Sequence, residues 1–194
     1  MSSSPPLETW IDGLLATPGL TALRDREQVR RELVEDSLRG LPLVRRFAGP
    51  LVDVGSGGGA PGIPLALALP EREVTLLEAN GRKCEFLRRH VPPNARVVQE
   101  RAEEHAGRYG VAVAKALAPP PVAAEWLLPL VDEDGAAILW VGPSADLDAI
   151  ARVAARLAAE PEPAPAGFAV LRKAGPTPPG FPRRVGVARK RPLA

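Results

Sequence analysis

The chain has 194 residues, one cysteine (Cys84) and a formal net charge of +2. That length suits one domain with an adequate core, a single cysteine excludes an internal disulfide, and so small a charge argues by itself for no polyionic partner. No apolar run approaches the roughly 20 residues that cross a bilayer, and the opening MSSSPPLETW lacks the basic-then-apolar order of a secretory leader. The expectation is a cytoplasmic monomer with no membrane partner.

In chain order, Leu7, Trp10, Ile11, Leu14 and Leu15 recur at helical spacing, Pro18 and Gly19 interrupt, and Val29, Leu33 and Leu38 mark a second helix over about 25–39. After Gly49 and Pro50, short apolar runs alternate with amphipathic stretches. Strands are predicted at 51–54, 74–77, 95–98, 111–115 and 136–141, with helices at 60–69, 80–90, 101–106, 121–130 and 144–159. This alternation predicts an α/β fold, a mostly parallel sheet with helices on both faces. PEPAPAG (161–167) reads as a surface connection before a last strand at 168–173. The Pro- and Gly-rich remainder reads as an extended arm with a short edge strand near 185–188. The expected organisation is one domain: a helical extension (1–50), a core (51–173) and an arm (174–194).

The segment LVDVGSGGGAPG joins the first core strand to the first core helix. In a parallel sheet that junction lies at the carboxyl edge, beside the topological switch point where ligands bind. Gly55, Gly57, Gly58 and Gly59 remove Cβ atoms, so a ligand can touch main chain and the turn can take positive φ. Gly55, Gly57 and Ala60 also satisfy the dinucleotide spacing GxGxxG/A, which keeps a nicotinamide cofactor open at this point. Asp53 favours S-adenosylmethionine instead, because a carboxylate beside the turn suits an ammonium or sulfonium better than a pyrophosphate. Glu78, at the end of the second strand, suits ribose hydroxyls of either cofactor. Glu103, after the third strand, stands where an acid would face adenine, or else complements a helix dipole.

From Arg172 onward there are seven basic residues and no acidic one. Arg183, Arg184, Arg189, Lys190 and Arg191 form a candidate phosphate-contacting patch, against the alternative of a solvated tail. Cys84, His90 and His105 fall on predicted helices, where solvated roles are expected for the histidines, and they form no metal-binding or nucleophilic constellation.

The segments LVDVGSGGGAPGIPLALALPEREVTLLEANGRKCEFL, RAEE, AKALAPPPVAAEWLLPL and GFPRRVGVARKRPL resemble one family, the bacterial small-subunit (16S) ribosomal RNA guanine-N7 methyltransferases, or glucose-inhibited division protein B. The likeness runs from about Gly19 to the C-terminus. It implies a Rossmann-like class I methyltransferase fold, S-adenosylmethionine as cofactor, and ribosomal RNA or the small subunit as partner. It implies that Gly55, Ala60, Ala102, Glu103 and Lys115 contact the cofactor while Glu78 holds its ribose. With Asp53, Gly57 and Gly59 these complete the expected cofactor set.

Guanine N7 has a lone pair and no proton, so its methylation needs alignment rather than a general base, and no catalytic side chain is expected. The chain also lacks the Asn-Pro-Pro-aromatic tetrapeptide suited to exocyclic amines, having Ala118-Pro119-Pro120-Pro121 instead. Gly19, Leu33, Gly110, Lys115 and Val141-Gly142 stand where the resembled family keeps other, mostly polar, residues. These departures motivate an alternative, a weakened or inactive cofactor-binding relative that acts by binding RNA or the ribosome.

Overall fold

The computed structural model describes residues 5–194. Seven strands form one sheet in the order β3-β2-β1-β4-β5-β7-β6. β1 (Leu51–Val54), β2 (Val74–Leu77), β3 (Ala95–Val98), β4 (Tyr109–Lys115) and β5 (Val131–Trp140) are mutually parallel. β7 (Phe168–Lys173) runs antiparallel between β5 and β6 (Ala159–Glu162). Every residue of β1 and β2 is buried, as apolar strands covered on both faces should be. The order reverses between β1 and β4, which opens a crevice above their carboxyl ends.

Alternation along the strands divides the core in two. Leu51, Val111 and Val113 face α1 (Pro5–Ala16), α5 (Gly62–Ala68) and α6 (Gly81–His90), where Trp10, Leu14, Ile63 and Leu87 are buried. Val52, Val54, Ala112 and Ala114 face α7 (Pro120–Leu127) and α8 (Leu147–Arg156), with Val122, Leu127, Ile150 and Val153. Burying each large aliphatic side chain stabilises the fold by about 1.5–3 kcal/mol. The N-terminal helices extend the first layer. α2 (Arg26–Val29), capped by Asp25 through Gln28 N (3.0 Å), continues through a π-helical stretch (Arg30–Glu35) into α3 (Asp36–Leu38), and α4 (Leu41–Val44) follows. Glu8 of α1 accepts ion pairs from Arg26 (2.6 Å) and Arg30, joining the two helical segments.

The structure departs from the sequence expectations in four places. Residues 101–106 form a turn rather than a helix. His105 lies between Glu100 (Nδ1 to Oε2, 2.6 Å) and the Tyr109 hydroxyl (Nε2 to O, 2.8 Å), side-chain bonds that hold this loop without a helical ladder and contradict the solvated role expected for His105. The strand expected to begin at 136 begins at Val131, with a register shift between Tyr109 and Val111 and Asp134 at φ +64°. The helix expected over 144–159 stops at Arg156, and Ala159–Glu162 forms β6. Pro161 fits there because β6 is outermost. Near 185–188 the chain makes α9 (Val187–Lys190) in place of the expected edge strand, which turns Ala188 into the core.

Candidate functional site

The β1–α5 turn is held mainly by main-chain bonds. Gly55 N and Ser56 N donate to Leu77 O (2.7 and 3.1 Å), Gly59 N to Ser56 O (2.6 Å) and Ile63 N to Gly59 O (2.7 Å). Gly59 shows why a side chain is absent: φ is +108°, and a Cβ would lie 2.6 Å from Ile63 Cδ1 and 3.0 Å from Trp10 Nε1. The buried Trp10 of α1 donates its indole N–H to Gly58 O (2.7 Å), so the N-terminal helix clamps the turn from below.

Above the carboxyl ends of β1, β2 and β4 lies a cavity of about 450 Å³, within the range that takes small-molecule cofactors. Gly55, Glu78, Ala102, Glu103, Leu117 and Trp126 are among its walls. Glu78 is buried, and its two oxygens accept from Gly57 N (2.9 Å) and Asn80 N (2.8 Å). Each carboxylate oxygen can accept more than one bond, so Glu78 retains capacity for hydroxyl donors in the cavity. Cys84 of α6 is buried and donates its thiol to Glu78 O (3.2 Å), and burial pushes the thiol pKa up.

Asp53 is placed differently from the sequence expectation. It does not line the cavity. Its Oδ2 accepts from Gly62 N (3.0 Å) at the start of α5, Oδ1 has no partner among the described residues, and burial raises the carboxyl to about 7. Asp53 thus braces the turn from beneath. Gly57, Gly59 and Ala60 likewise shape the turn without forming the cavity wall. Lys115 also points elsewhere: it pairs with Asp36 (2.6 Å) and donates to Glu32 O beside the π-helical stretch. Gly110, one of the departures, is forced by packing, since a Cβ there would lie 1.7 Å from Ala48 O.

The C-terminal arm folds back onto the same cavity. Arg183 forms a two-pronged ion pair with buried Glu125 of α7 (2.5 and 2.6 Å), which keeps the Arg183 guanidinium pKa raised and removes it from the expected phosphate-binding patch. Gly186 N donates to Glu103 Oε1 (3.0 Å), and the Arg189 guanidinium lies over the Trp126 ring, 5.1 Å from its centroid. Gly186, Arg189 and Trp126 all line the cavity. Arg184, Lys190 and Arg191 are exposed and, among the described residues, form no ion pair. The structure therefore brings Gly55, Glu78, Ala102 and Glu103 together, and adds Asn80, Lys83, Leu117, Trp126, Gly186 and Arg189. Asn80 caps α6 through Lys83 N (3.2 Å), and an Asn opening a helix is the signal that could have marked it. Trp126 and Gly186 had no local signal, and Arg189, expected in the phosphate-contacting patch, lines the cavity instead.

The architecture is similar to that of solved methyltransferases. Magnesium protoporphyrin IX methyltransferase from Synechocystis PCC 6803, crystallised with bound SAM, superimposes with a TM-score of 0.62 at 12% identity over 89% of this chain and 99% of that one. The T. thermophilus 16S rRNA methyltransferase RsmC, in complex with AdoMet and guanosine, gives 0.55 at 18% identity over 75% of this chain and 40% of that one. Sequence relatives are nearer. Ribosomal RNA small subunit methyltransferase G of Rubrobacter xylanophilus is 39% identical over 88% of this chain and 75% of its own length. The Chloroflexus aggregans protein of the same name is 35% identical over 90% and 82% respectively. The family model GidB, rRNA small subunit methyltransferase G, matches residues 10–160. With that match joined to relatives of this identity and coverage, the chain belongs to the rRNA small subunit methyltransferase G family.

Proposed function

We propose that this protein, as a single-domain monomer of the cytoplasm, transfers a methyl group from S-adenosylmethionine to N7 of a guanine in small-subunit ribosomal RNA. The observation that carries the reading is the convergence of Gly55, Glu78 and Glu103 on one cavity at the switch point of a methyltransferase sheet. The residues fit the cofactor. Gly55, at φ +71°, exposes main chain at one wall, Glu78 offers acceptors to ribose hydroxyls, and Glu103 offers one to an exocyclic amine.

Bound there, S-adenosylmethionine supplies an electrophilic methyl on a sulfonium. The chain's part is alignment. The turn is fixed from below by Trp10 and Asp53, and Glu78 is fixed by Gly57 N and Asn80 N, so the groups that meet the cofactor are ordered before it arrives. N7 releases no proton, so no side chain need accept one, whereas the methylated purine gains positive charge. Lys115 stands at the carboxyl end of β4, two residues before Leu117 in the cavity wall, and its charge is offset by Asp36, which leaves the neighbourhood of the product less repulsive. Arg184, Lys190 and Arg191 contact RNA phosphates from the arm, and their binding weakens with salt.

The test is transfer of labelled methyl from S-adenosylmethionine to small ribosomal subunits and to free 16S RNA, followed by strand scission specific for N7-methylguanine. Label at one scission site supports the reading. Cofactor binding without label in either substrate contradicts it and leaves the alternative of an RNA-binding relative without turnover.

A further inference from the structure

We propose that the adenine end of the cofactor site is completed by Trp126 and the C-terminal arm, with Gly186 and Arg189 as its outer wall. The proposal rests on reading the cavity as the cofactor site. Gly55 bounds one end of that cavity and Glu78 stands beside it at the end of β2, where ribose hydroxyls are expected. The remaining wall contains Ala102, Glu103, Trp126, Gly186 and Arg189.

These last residues form a connected unit. Glu103 accepts from Gly186 N (3.0 Å), Lys190 N donates to Gly186 O (3.2 Å) to close the turn of α9, and Arg189 on that turn covers Trp126. The arm is seated rather than trailing. Ala188 is 1% exposed, Phe181 and Leu193 pack against the same core as α7, and Arg183 holds Glu125, the residue before Trp126.

The chemistry of this wall suits a purine. It contains an aromatic ring, a carboxylate able to accept from an amine, and Trp126, whose indole N–H is buried and has no acceptor among the described residues. Ring nitrogens of adenine are acceptors of the kind that N–H lacks. The Arg189–Trp126 pair keeps the wall closed, so an arm residue 63 positions along the chain from Trp126 sets cofactor affinity.

The test is calorimetric titration of the full chain with S-adenosylhomocysteine, for the wild type, Trp126→Phe, Arg189→Ala and, as a control on the far helix, Arg152→Ala. Trp126→Phe keeps an aromatic ring but removes the donor, and is expected to weaken binding about tenfold. Arg189→Ala, at an exposed position where folding is not at stake, is expected to weaken it about fivefold. Arg152→Ala should bind as wild type. Tryptophan emission gives a second readout: the ligand should alter it in the wild type and not in Trp126→Phe, because Trp10 and Trp140 lie outside the cavity. Tight wild-type binding that neither Trp126→Phe nor Arg189→Ala changes by more than twofold overturns this proposal while leaving the cofactor reading intact. Absence of wild-type binding overturns both.

Discussion

The two ends of the cavity are built by opposite means. At the glycine turn, main-chain bonds between Gly55, Ser56, Gly59 and their neighbours set the geometry, and α1 supports it through the Trp10 bond to Gly58 O. At the arm, side chains do the joining: Glu125 with Arg183, Glu103 with Gly186 N, and Arg189 over Trp126. A backbone-built end is rigid and leaves no room for a Cβ at Gly55, Gly58 or Gly59, whereas a side-chain-built end can be altered one contact at a time. The turn end should therefore fail as a whole, and the arm end one contact at a time.

The sharpest break of the turn end is Trp10→Ala, which empties a fully buried site and leaves Gly58 O without its partner. It is expected to cost about 3–5 kcal/mol and to lower Tm by roughly 10 °C, with S-adenosylhomocysteine binding lost in parallel. Unfolding followed by calorimetry checks both.

At the arm end, Arg183→Ala strands the Glu125 carboxylate, which is 2% exposed. The expected loss is on the order of 3 kcal/mol. Replacing both partners, Glu125→Gln with Arg183→Ala, should recover part of it, since no unpaired charge then stays buried. Denaturant unfolding of Arg183→Ala, Glu125→Gln and the double variant measures the coupling; equal losses in the single Arg183 variant and the double one would show that the stranded Glu125 carboxylate costs nothing.

A smaller effect separates Asp53 from the acids that face the cavity. Burial raises its carboxyl from 3.8 to about 7, so the folded chain retains a proton that the unfolded chain releases above about pH 4. The stability this residue contributes thus falls as pH rises from about 4 to 7 and is flat above. Asp53→Asn keeps an acceptor for Gly62 N and removes the titration. Its stability relative to wild type should climb across that window by on the order of 2 kcal/mol, as thermal unfolding at pH 4, 5.5 and 7.5 would register.

The difference between the ends also explains what could be read from the sequence. LVDV and VTLL are unbroken apolar runs, as doubly covered parallel strands must be, and the glycine cluster after LVDV marks its turn by composition alone. Glu78 followed from its place at the end of β2. The arm end was hidden because its contacts join residues far apart: 58 positions separate Glu125 from Arg183, and 83 separate Glu103 from Gly186. Arg183 and Arg189 read as members of a phosphate-contacting patch or a solvated tail until the fold supplied their partners. β6 was hidden by Pro161, which only an outermost strand accommodates, and α9 is a four-residue helix too short for any periodic signal. Asp53 was found, yet the side of the turn it faces depends on strand alternation in the assembled sheet.

The central claim is that Glu78 and the glycine turn form a cofactor site. Titrating wild type and Glu78→Gln with S-adenosylhomocysteine tests it most directly, because the amide cannot serve Gly57 N, Asn80 N and two ribose hydroxyls as a carboxylate does. The account predicts saturable one-to-one binding to wild type, weakened about tenfold or more in Glu78→Gln. No binding to wild type, or equal binding to both, would contradict it.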